Sequence, residues 1–286
     1  MIPAIEDPLS ERDHKRVAEY IEQTAGIQLP LSKRSLIEGR LRKRMRKTGY
    51  ASLHDYIDDV LNSAADEPER LNLLDAITTN KTEFYREPGH FHFLREHILQ
   101  ELMPLRDRGW KRPLRIWSAG CSSGEEPYTL AMEMLEIGKD RPEFRFEILA
   151  TDISVSCLQT ARQAIYAHHK IESIPMELRK RYLLRSRDKT QALVRMAPEL
   201  RDKVTFKTFN LLTDAYKFQP GFDMIFCRNV MIYFSNEDRI QVAHRFAHAL
   251  EKDGLLFIGH SETLTDKGTT FRQVIPTVYR KSSATR

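Results

Sequence analysis

Residues 114–132 read LRIWSAGCSSGEEPYTLAM, and the order of residue types in this stretch sets the fold. Leu114 to Ser118 is a short apolar run, the next residues are small with glycines at 120 and 124, and apolar residues at helical spacing follow from Glu125. A strand, a tight turn and a helix are therefore predicted, with Gly120 placed where backbone can approach a ligand closely. The helix opens on two carboxylates, Glu125 and Glu126. Free N–H groups at a helix start favour phosphate when glycines alone surround them. Acids at the same place repel a pyrophosphate and favour a cation. The glycine spacing is also not GxGxxG, so a dinucleotide site is disfavoured twice. Taken alone, the turn reads equally well as a plain strand-to-helix connection.

Downstream, short apolar runs alternate with helical ones, the pattern of a parallel sheet flanked by helices. Strands are expected at Leu114–Ser118, Phe146–Ala150, Val204–Phe206, Phe222–Cys227, Leu255–Gly259 and Val274–Tyr279, and helices near Glu125, Ser154 and Asn236. The second strand ends in ATDIS, which places Asp152 where the acidic residue of a nucleoside-binding α/β unit accepts hydrogen bonds from ribose hydroxyls. Its competing reading is an N-cap, a role Ser154 fills equally well. A ribose-binding acid beside an acidic turn suits S-adenosylmethionine, whose sulfonium and ammonium are cationic. Asn210 lies just past a third strand, and Arg228, Asn229 and Tyr233 follow the apolar run of a fourth, at the sheet edge where open α/β folds bind ligands. Turn chemistry with a buried ion pair is the alternative for that group. The stretch from about Arg179 to Leu200 interrupts the alternation with two apolar runs around a polar turn and reads as an inserted hairpin.

Upstream, Ser10 to about Leu74 carries apolar residues at helical spacing and is expected to form a small all-α domain. Residues 31–50 hold eight basic side chains against Glu38, so the chain's net charge of +5 is concentrated there. Ser35 to Glu38 has the form of a capping box, Ile37, Leu41 and Met45 form a buried stripe, and Arg40, Arg44 and Lys47 share a neighbouring solvent face, a docking surface for something acidic. Asn62 to Glu69 reads as a loop. Ala76 to Pro88, AITTNKTEFYREP, reads as a polar linker whose Asn80, Thr82 and Arg86 can close over a cofactor. Hydrophobic content of 41% and charged content of 30% are ordinary for a globular protein. With no long apolar run, no secretory core and three scattered cysteines, a cytoplasmic protein without membrane insertion is expected. His90, His92 and His97 lack partners at ligand spacing and His260 reads as a hydrogen-bonded support, so no metal site is expected.

ITTNKTEFYRE, WSAGCSSGEEPYTLAM, ATDIS, FNLL, FDMIFCRNVMIYF and GLLFIGHSE, in this order, resemble the CheR family of chemotaxis receptor glutamate methyltransferases. The resemblance covers nearly the whole chain. It implies an N-terminal all-α domain with linker over 1–87, and a Rossmann-like class I S-adenosylmethionine methyltransferase domain over 88–286 with an inserted antiparallel β-subdomain at about 179–203. It further implies cofactor contacts at Asn80, Thr82, Arg86, Glu126, Asp152, Asn210, Leu211, Arg228 and Asn229, with Arg86 and Tyr233 beside the methyl being transferred. The implied substrate is the γ-carboxylate of glutamates on the helical cytoplasmic region of methyl-accepting chemotaxis proteins, with S-adenosylhomocysteine as the other product.

Two rival functions are distinguishable. A nucleic-acid methyltransferase fits the basic segment, but amino-methylating members typically carry an NPPY-like tetrapeptide where this chain has CRNV. A non-catalytic S-adenosylmethionine-binding scaffold would not need Arg86 and Tyr233. Enteric-type members of the family bind a receptor C-terminal peptide through a glycine-rich hairpin turn. The corresponding turn here, Ser186 to Thr190, has no glycine, which speaks against that docking.

Overall fold

The computed structural model describes residues 8–62, 67–102, 107–188, 190–219, 221–264 and 270–282. The N-terminal part is helical: α1 Glu11–Ala25, α2 Arg34–Thr48, α3 Leu53–Asn62 and α4 Glu67–Ile77. Ser10 caps α1 by accepting from Asp13 N at 3.0 Å, and left-handed Gly26 and Gly49 close α1 and α2. Ile37, Leu41 and Met45 are buried on α2 as the spacing predicts, packed with Val17, Ile21, Tyr56 and Leu73.

The predicted capping box does not form. A 3₁₀ turn, Leu31–Lys33, runs straight into α2, so the helix begins at Arg34 and Ser35 lies inside it. Glu38 instead accepts from Leu9 N at 3.0 Å and from Arg42 Nη2 at 2.8 Å. The predicted loop from Asn62 to Glu69 is also shorter than expected. Asn62 closes α3 and Glu67, Pro68 and Glu69 open α4, where a proline in the first turn gives up no intrahelical hydrogen bond; residues 63–66 lie outside the described residues.

After α5, Pro88–His97, the chain builds a seven-stranded sheet. Its strands are β1 Leu114–Ala119, β2 Phe146–Asp152, β6 Val204–Thr208, β7 Phe222–Cys227, β8 Leu250–Ile258, β9 Phe271–Ile275 and β10 Val278–Lys281, in the order β6-β2-β1-β7-β8-β10-β9. The first five of these in spatial order are parallel, and β10 and β9 complete the edge antiparallel. Alternate residues of the central strands enter two separate cores, Ile116, Met224, Phe226 and Phe257 in one and Trp117, Ile225, Cys227 and Ile258 in the other. Burial of both faces explains why these strands read as continuous apolar runs. The connecting helices are α6 Glu125–Gly138, α7 Val155–Gln163 and α10 Asn236–Ala249.

Two strand expectations need correction. Val274–Tyr279 is not one strand but the hairpin β9–β10, bent at Pro276, which has no N–H to donate, and Thr277, whose φ is 63°. The inserted subdomain extends beyond 179–203. Its antiparallel sheet, ordered β3-β5-β4, adds β3 Ile165–Ala167 to the hairpin β4 Leu183–Arg185 and β5 Leu193–Met196. Helices α8 Met176–Tyr182 and α9 Pro198–Arg201 flank it. The β4–β5 turn is organised by Asp188, whose Oδ1 accepts from Thr190 N at 2.9 Å and Thr190 Oγ1 at 2.7 Å.

Candidate active site

Strand β1 lies between β2 and β7, so the chain leaves it first toward β6 and then crosses back toward β8. This is the switch point at which an open α/β sheet leaves a crevice beyond its strand ends. One cleft occupies that position. Asn80, Thr82, Arg86, Gly120, Glu126, Asp152, Asn210, Leu211, Arg228, Asn229 and Tyr233 all line it, so every candidate from the sequence is brought to one place. The opposite wall comes from the helical domain and is largely apolar, with Ala25, Ile27, Leu29, Leu36 and Ile37 beside Lys33 and Arg40.

The β1 turn is built by its backbone. Gly120 and Cys121 donate to Thr151 O at 2.8 and 2.9 Å, and Gly120 has a φ of 81°. A Cβ on Gly120 would sit 2.4 Å from Val230 Cγ2, so glycine is required for the β1 and β7 turns to touch. Asp152 fastens the same turn, its Oδ2 accepting from Ser122 N at 2.7 Å and its Oδ1 from Ser154 N at 2.9 Å. The N-cap role falls to Ser154, which accepts from Cys157 N at 3.1 Å, and Asp152 is left facing the cleft. Ser122 Oγ donates to Asn80 O at 2.9 Å and so ties the linker to the turn.

At the bottom of the cleft, Glu126 accepts from Ser118 Oγ at 2.6 Å and from Arg228 Nη1 at 3.4 Å. Burial pushes its carboxyl above the ordinary value of 4.5, against the pull of Arg228 and Ser118. Arg228 also donates to Arg86 O, and its Nε lies 3.3 Å from Glu87 Oε2. Glu87 Oε1 in turn accepts from Asn229 Nδ2 at 3.4 Å and His260 N at 3.1 Å.

Arg86 sits between two left-handed residues, Tyr85 with φ 55° and Glu87 with φ 56°. Such backbone is held only where its surroundings fix it. Here the fixings are Tyr85 OH on Glu133 Oε1 at 2.9 Å, with Arg95 on the same carboxylate at 2.6 Å, and the Glu87 contacts above. The Arg86 side chain reaches Lys81 O at 3.0 Å. Asn210 is more constrained than the sequence suggests. Its Nδ2 donates to Thr24 O at 2.7 Å and its Oδ1 accepts from Leu212 N at 3.0 Å, so its amide stitches the sheet edge to α1. Tyr233 O accepts from Gln28 N at 2.9 Å across the same seam.

Sequence reasoning missed Glu87 and Glu262. Glu262, buried in the GHSE segment, accepts from Asn229 N at 2.9 Å, Ile232 N at 3.2 Å and Gly259 N at 2.5 Å, and thereby holds the loop that carries Arg228 and Tyr233. Ligand atoms of Glu87, His90 and His260 lie within 4.8 Å of one another, but Arg228 already neutralises Glu87 and would repel a divalent cation there.

The predicted solvent face of α2 is mostly spoken for. Arg44 is paired with buried Glu69, to which Tyr56 OH also donates at 2.9 Å, and the Arg40 guanidinium bonds Ile77 O and, at 3.0 Å, Thr79 Oγ1. Lys47 is exposed. Arg40 and Arg44 thus turn toward α4, because α4 supplies a buried carboxylate and its open C-terminal carbonyl.

The cleft fits a nucleoside cofactor with cationic groups. Two carboxylates, Glu126 and Asp152, face it, and Asn229 Oδ1 is a buried acceptor without a hydrogen-bond partner. A sheet of this order with such a cleft defines a class I S-adenosylmethionine-dependent methyltransferase. The chain belongs to the CheR methyltransferase family. Residues 80–280 match the model described as "CheR methyltransferase, SAM binding domain", and residues 12–78 match "CheR methyltransferase, all-alpha domain". The chain is 38% identical over 275 residues to the "Chemotaxis protein methyltransferase" of Borreliella burgdorferi, covering 96% of this chain and 95% of that one. It is 36% identical over 274 residues to the protein of the same name in Escherichia coli, covering 96% and 92%. "Chemotaxis protein methyltransferase 2" of Pseudomonas aeruginosa is 35% identical over 271 residues, covering 94% and 93%. The cofactor is S-adenosylmethionine. Among the described residues, no helix is long and apolar enough to cross a membrane.

Proposed function

We propose that this enzyme methylates the γ-carboxylate of glutamates on the cytoplasmic helical region of chemotaxis receptors, giving glutamyl methyl esters and S-adenosylhomocysteine, and that it works in the cytoplasm. The names of its relatives support the chemotaxis setting. The observation that carries the reading is that Arg86 and Tyr233 line the same cleft as the carboxylates Glu126 and Asp152. The carboxylates suit the cationic cofactor, and the arginine and phenol suit an anionic acceptor.

A glutamate side chain, with a reference pKa of about 4.3, is ionised at neutral pH and needs no general base. Bound in the cleft, S-adenosylmethionine supplies a methyl group on a positively charged sulfur. Glu126 and Asp152 would hold the cofactor with that methyl toward Arg86 and Tyr233, where an acceptor carboxylate oxygen could take it. Arg86 directs the acceptor carboxylate, swinging from Lys81 O, and Tyr233 OH donates one hydrogen bond to it. Orientation outweighs the nucleophilicity that these contacts remove from the oxygen. Asn80, Thr82, Gly120, Asn210, Leu211, Arg228 and Asn229 complete the cofactor's surroundings.

Parallel incubation of the enzyme with methyl-labelled cofactor and either receptor cytoplasmic fragments or RNA separates the competing functions. Label in the receptor fragment supports the proposal, label in RNA alone replaces it with nucleic-acid methylation, and cofactor binding with no label anywhere replaces it with a scaffold.

A further inference from the structure

Strand β3 of the inserted subdomain runs into a 3₁₀ turn, His168–Ile171, and side chains from Tyr166 to Ser173 reach the two segments on which the methyl-transfer site is built. Tyr166 is 2% exposed, and its OH donates to Ser123 O, inside the β1 turn, at 2.8 Å. A Cβ on Gly124 would lie 2.8 Å from the same oxygen, so turn and tyrosine are in direct contact. The Tyr166 ring also meets Phe84 edge-on, with ring centres 5.0 Å apart. Phe84 is fully buried in the linker, two residues before Arg86. Its carbonyl accepts from Ser173 Oγ at 2.7 Å.

These contacts divide the labour of the two acids that open α6. Glu125 is wholly buried, pairs with Lys170 Nζ at 3.1 Å and accepts from Ser123 Oγ at 2.7 Å. Glu126 alone of the two lines the cofactor cleft. Burial, and then the charge of Glu125, push the Tyr166 hydroxyl well above its ordinary value, so it remains a donor at neutral pH. The subdomain is fastened to α6 a second time, where Glu136 accepts from Tyr182 OH at 2.7 Å and from Arg181. Its position relative to the helix that carries Glu126 is therefore fixed. The linker is likewise held twice, at Asn80 O by Ser122 of the turn and at Phe84 O by Ser173 of the subdomain. Methyl transfer depends on the mutual orientation of cofactor and acceptor, and the subdomain grips the segment that holds each.

We propose that Tyr166 and Ser173 are positioning residues for methyl transfer. Tyr166 acts through the β1 turn on the cofactor, and Ser173 acts through Phe84 on Arg86. The inserted subdomain is then part of the framework of the active site. The Ser173 half rests on the receptor-glutamate reading above, and the Tyr166 half does not.

Tyr166→Phe, Ser173→Ala and Ser173→Thr are compared with the wild type by calorimetric titration with S-adenosylmethionine, by steady-state methylation of a receptor cytoplasmic fragment and by melting temperature. Tyr166→Phe is expected to weaken cofactor binding about fivefold, the scale of one net hydrogen bond. Ser173→Ala is expected to lower kcat about fivefold with cofactor affinity within about twofold. Ser173→Thr keeps the hydroxyl at an exposed position with room for a methyl group, and restores kcat. Unchanged cofactor affinity in Tyr166→Phe, or unchanged kcat in Ser173→Ala, overturns the inference even where melting temperature falls, because the side chain then only supports the fold. A wild-type enzyme that binds cofactor and methylates no fragment overturns the receptor reading instead, and the affinity of Tyr166→Phe then decides the inference by itself.

Discussion

Arg228 Nη1 stands 3.4 Å from Glu126 Oε2 at the bottom of the cleft, with only 2% and 13% of the two side chains exposed. Water screens this pair weakly, so the charge of Glu126 is set locally. Glu87 shares Arg228, so the arginine remains compensated if Glu126 is neutralised.

Glu126→Gln keeps the shape and removes the charge that suits a cationic cofactor. Affinity for S-adenosylmethionine, read by calorimetry, is expected to fall about tenfold or more, the scale of one charged hydrogen bond. Melting temperature should change little. An unchanged affinity removes Glu126 from the cofactor site.

Tyr233→Phe tests the methyl-transfer step. The phenol faces the cleft while its backbone carbonyl is engaged with Gln28, so the substitution leaves the seam in place. Turnover should drop about tenfold with cofactor affinity within about twofold, the loss of one hydrogen bond to a charged acceptor. Equal turnover means that the hydroxyl plays no part.

Glu262 never touches the cleft, yet its loss should be felt there. A glutamine cannot reproduce a carboxylate receiving Asn229, Ile232 and Gly259 amides, and leaving a buried donor unmet costs about 1–3 kcal/mol. Glu262→Gln should weaken cofactor binding and slow turnover together, whereas Tyr233→Phe affects turnover alone. A variant that only lowers melting temperature, with normal kinetics in the folded fraction, would falsify the positioning role.

Arg44 and Lys47 should separate structure from docking. Burial works to raise the Glu69 carboxyl, and hydrogen bonds from Arg44, Tyr56 and Asn72 overcome it to hold Glu69 below 4.5. Arg44→Ala takes the guanidinium from that carboxylate and leaves it to the neutral donors Tyr56 and Asn72, and breaking a buried pair costs about 3–5 kcal/mol, so a clear fall in melting temperature is expected. Lys47→Ala should leave it unchanged. Equal melting temperatures for the two variants contradict the assignment.

His90 makes stability depend on pH. Burial and then the charge of Arg228 push it down from 6.5 to about 4, with Glu87 pulling the other way and His260 adding to the depression. The unfolded chain gains a proton here as pH falls through 6.5, and the folded one only near 4. Stability from neutral His90 is therefore complete above about 6.5 and is lost as pH drops toward 4. Melting curves across that window should fall more steeply for the wild type than for His90→Gln; parallel curves would show that His90 carries no such linkage.

How much of this was readable in the sequence differs from residue to residue. The β1 turn, Asp152 and the Arg228–Asn229 pair were readable because glycines, a strand-end acid and polar groups after an apolar run are local signals. Glu87 and Glu262 are not, because their meaning comes from donors that the fold assembles, His260 N in one case and Asn229 N in the other. The pairing of Arg44 on α2 is hidden for the same reason: helical spacing says which residues share a side but not that α4 brings Glu69 to meet Arg44. The split of Val274–Tyr279 at Pro276–Thr277 is marked in the sequence by the proline itself, which cannot donate to a strand ladder.

The proposed reaction leaves the methyl group on a glutamate oxygen. Mass spectrometry of a receptor cytoplasmic fragment, incubated with enzyme and methyl-labelled S-adenosylmethionine, tests it most directly. Labelled glutamates are expected on the helical region, with the label released as methanol by mild alkali. Label resistant to alkali, or found on lysine or another nitrogen, would contradict it.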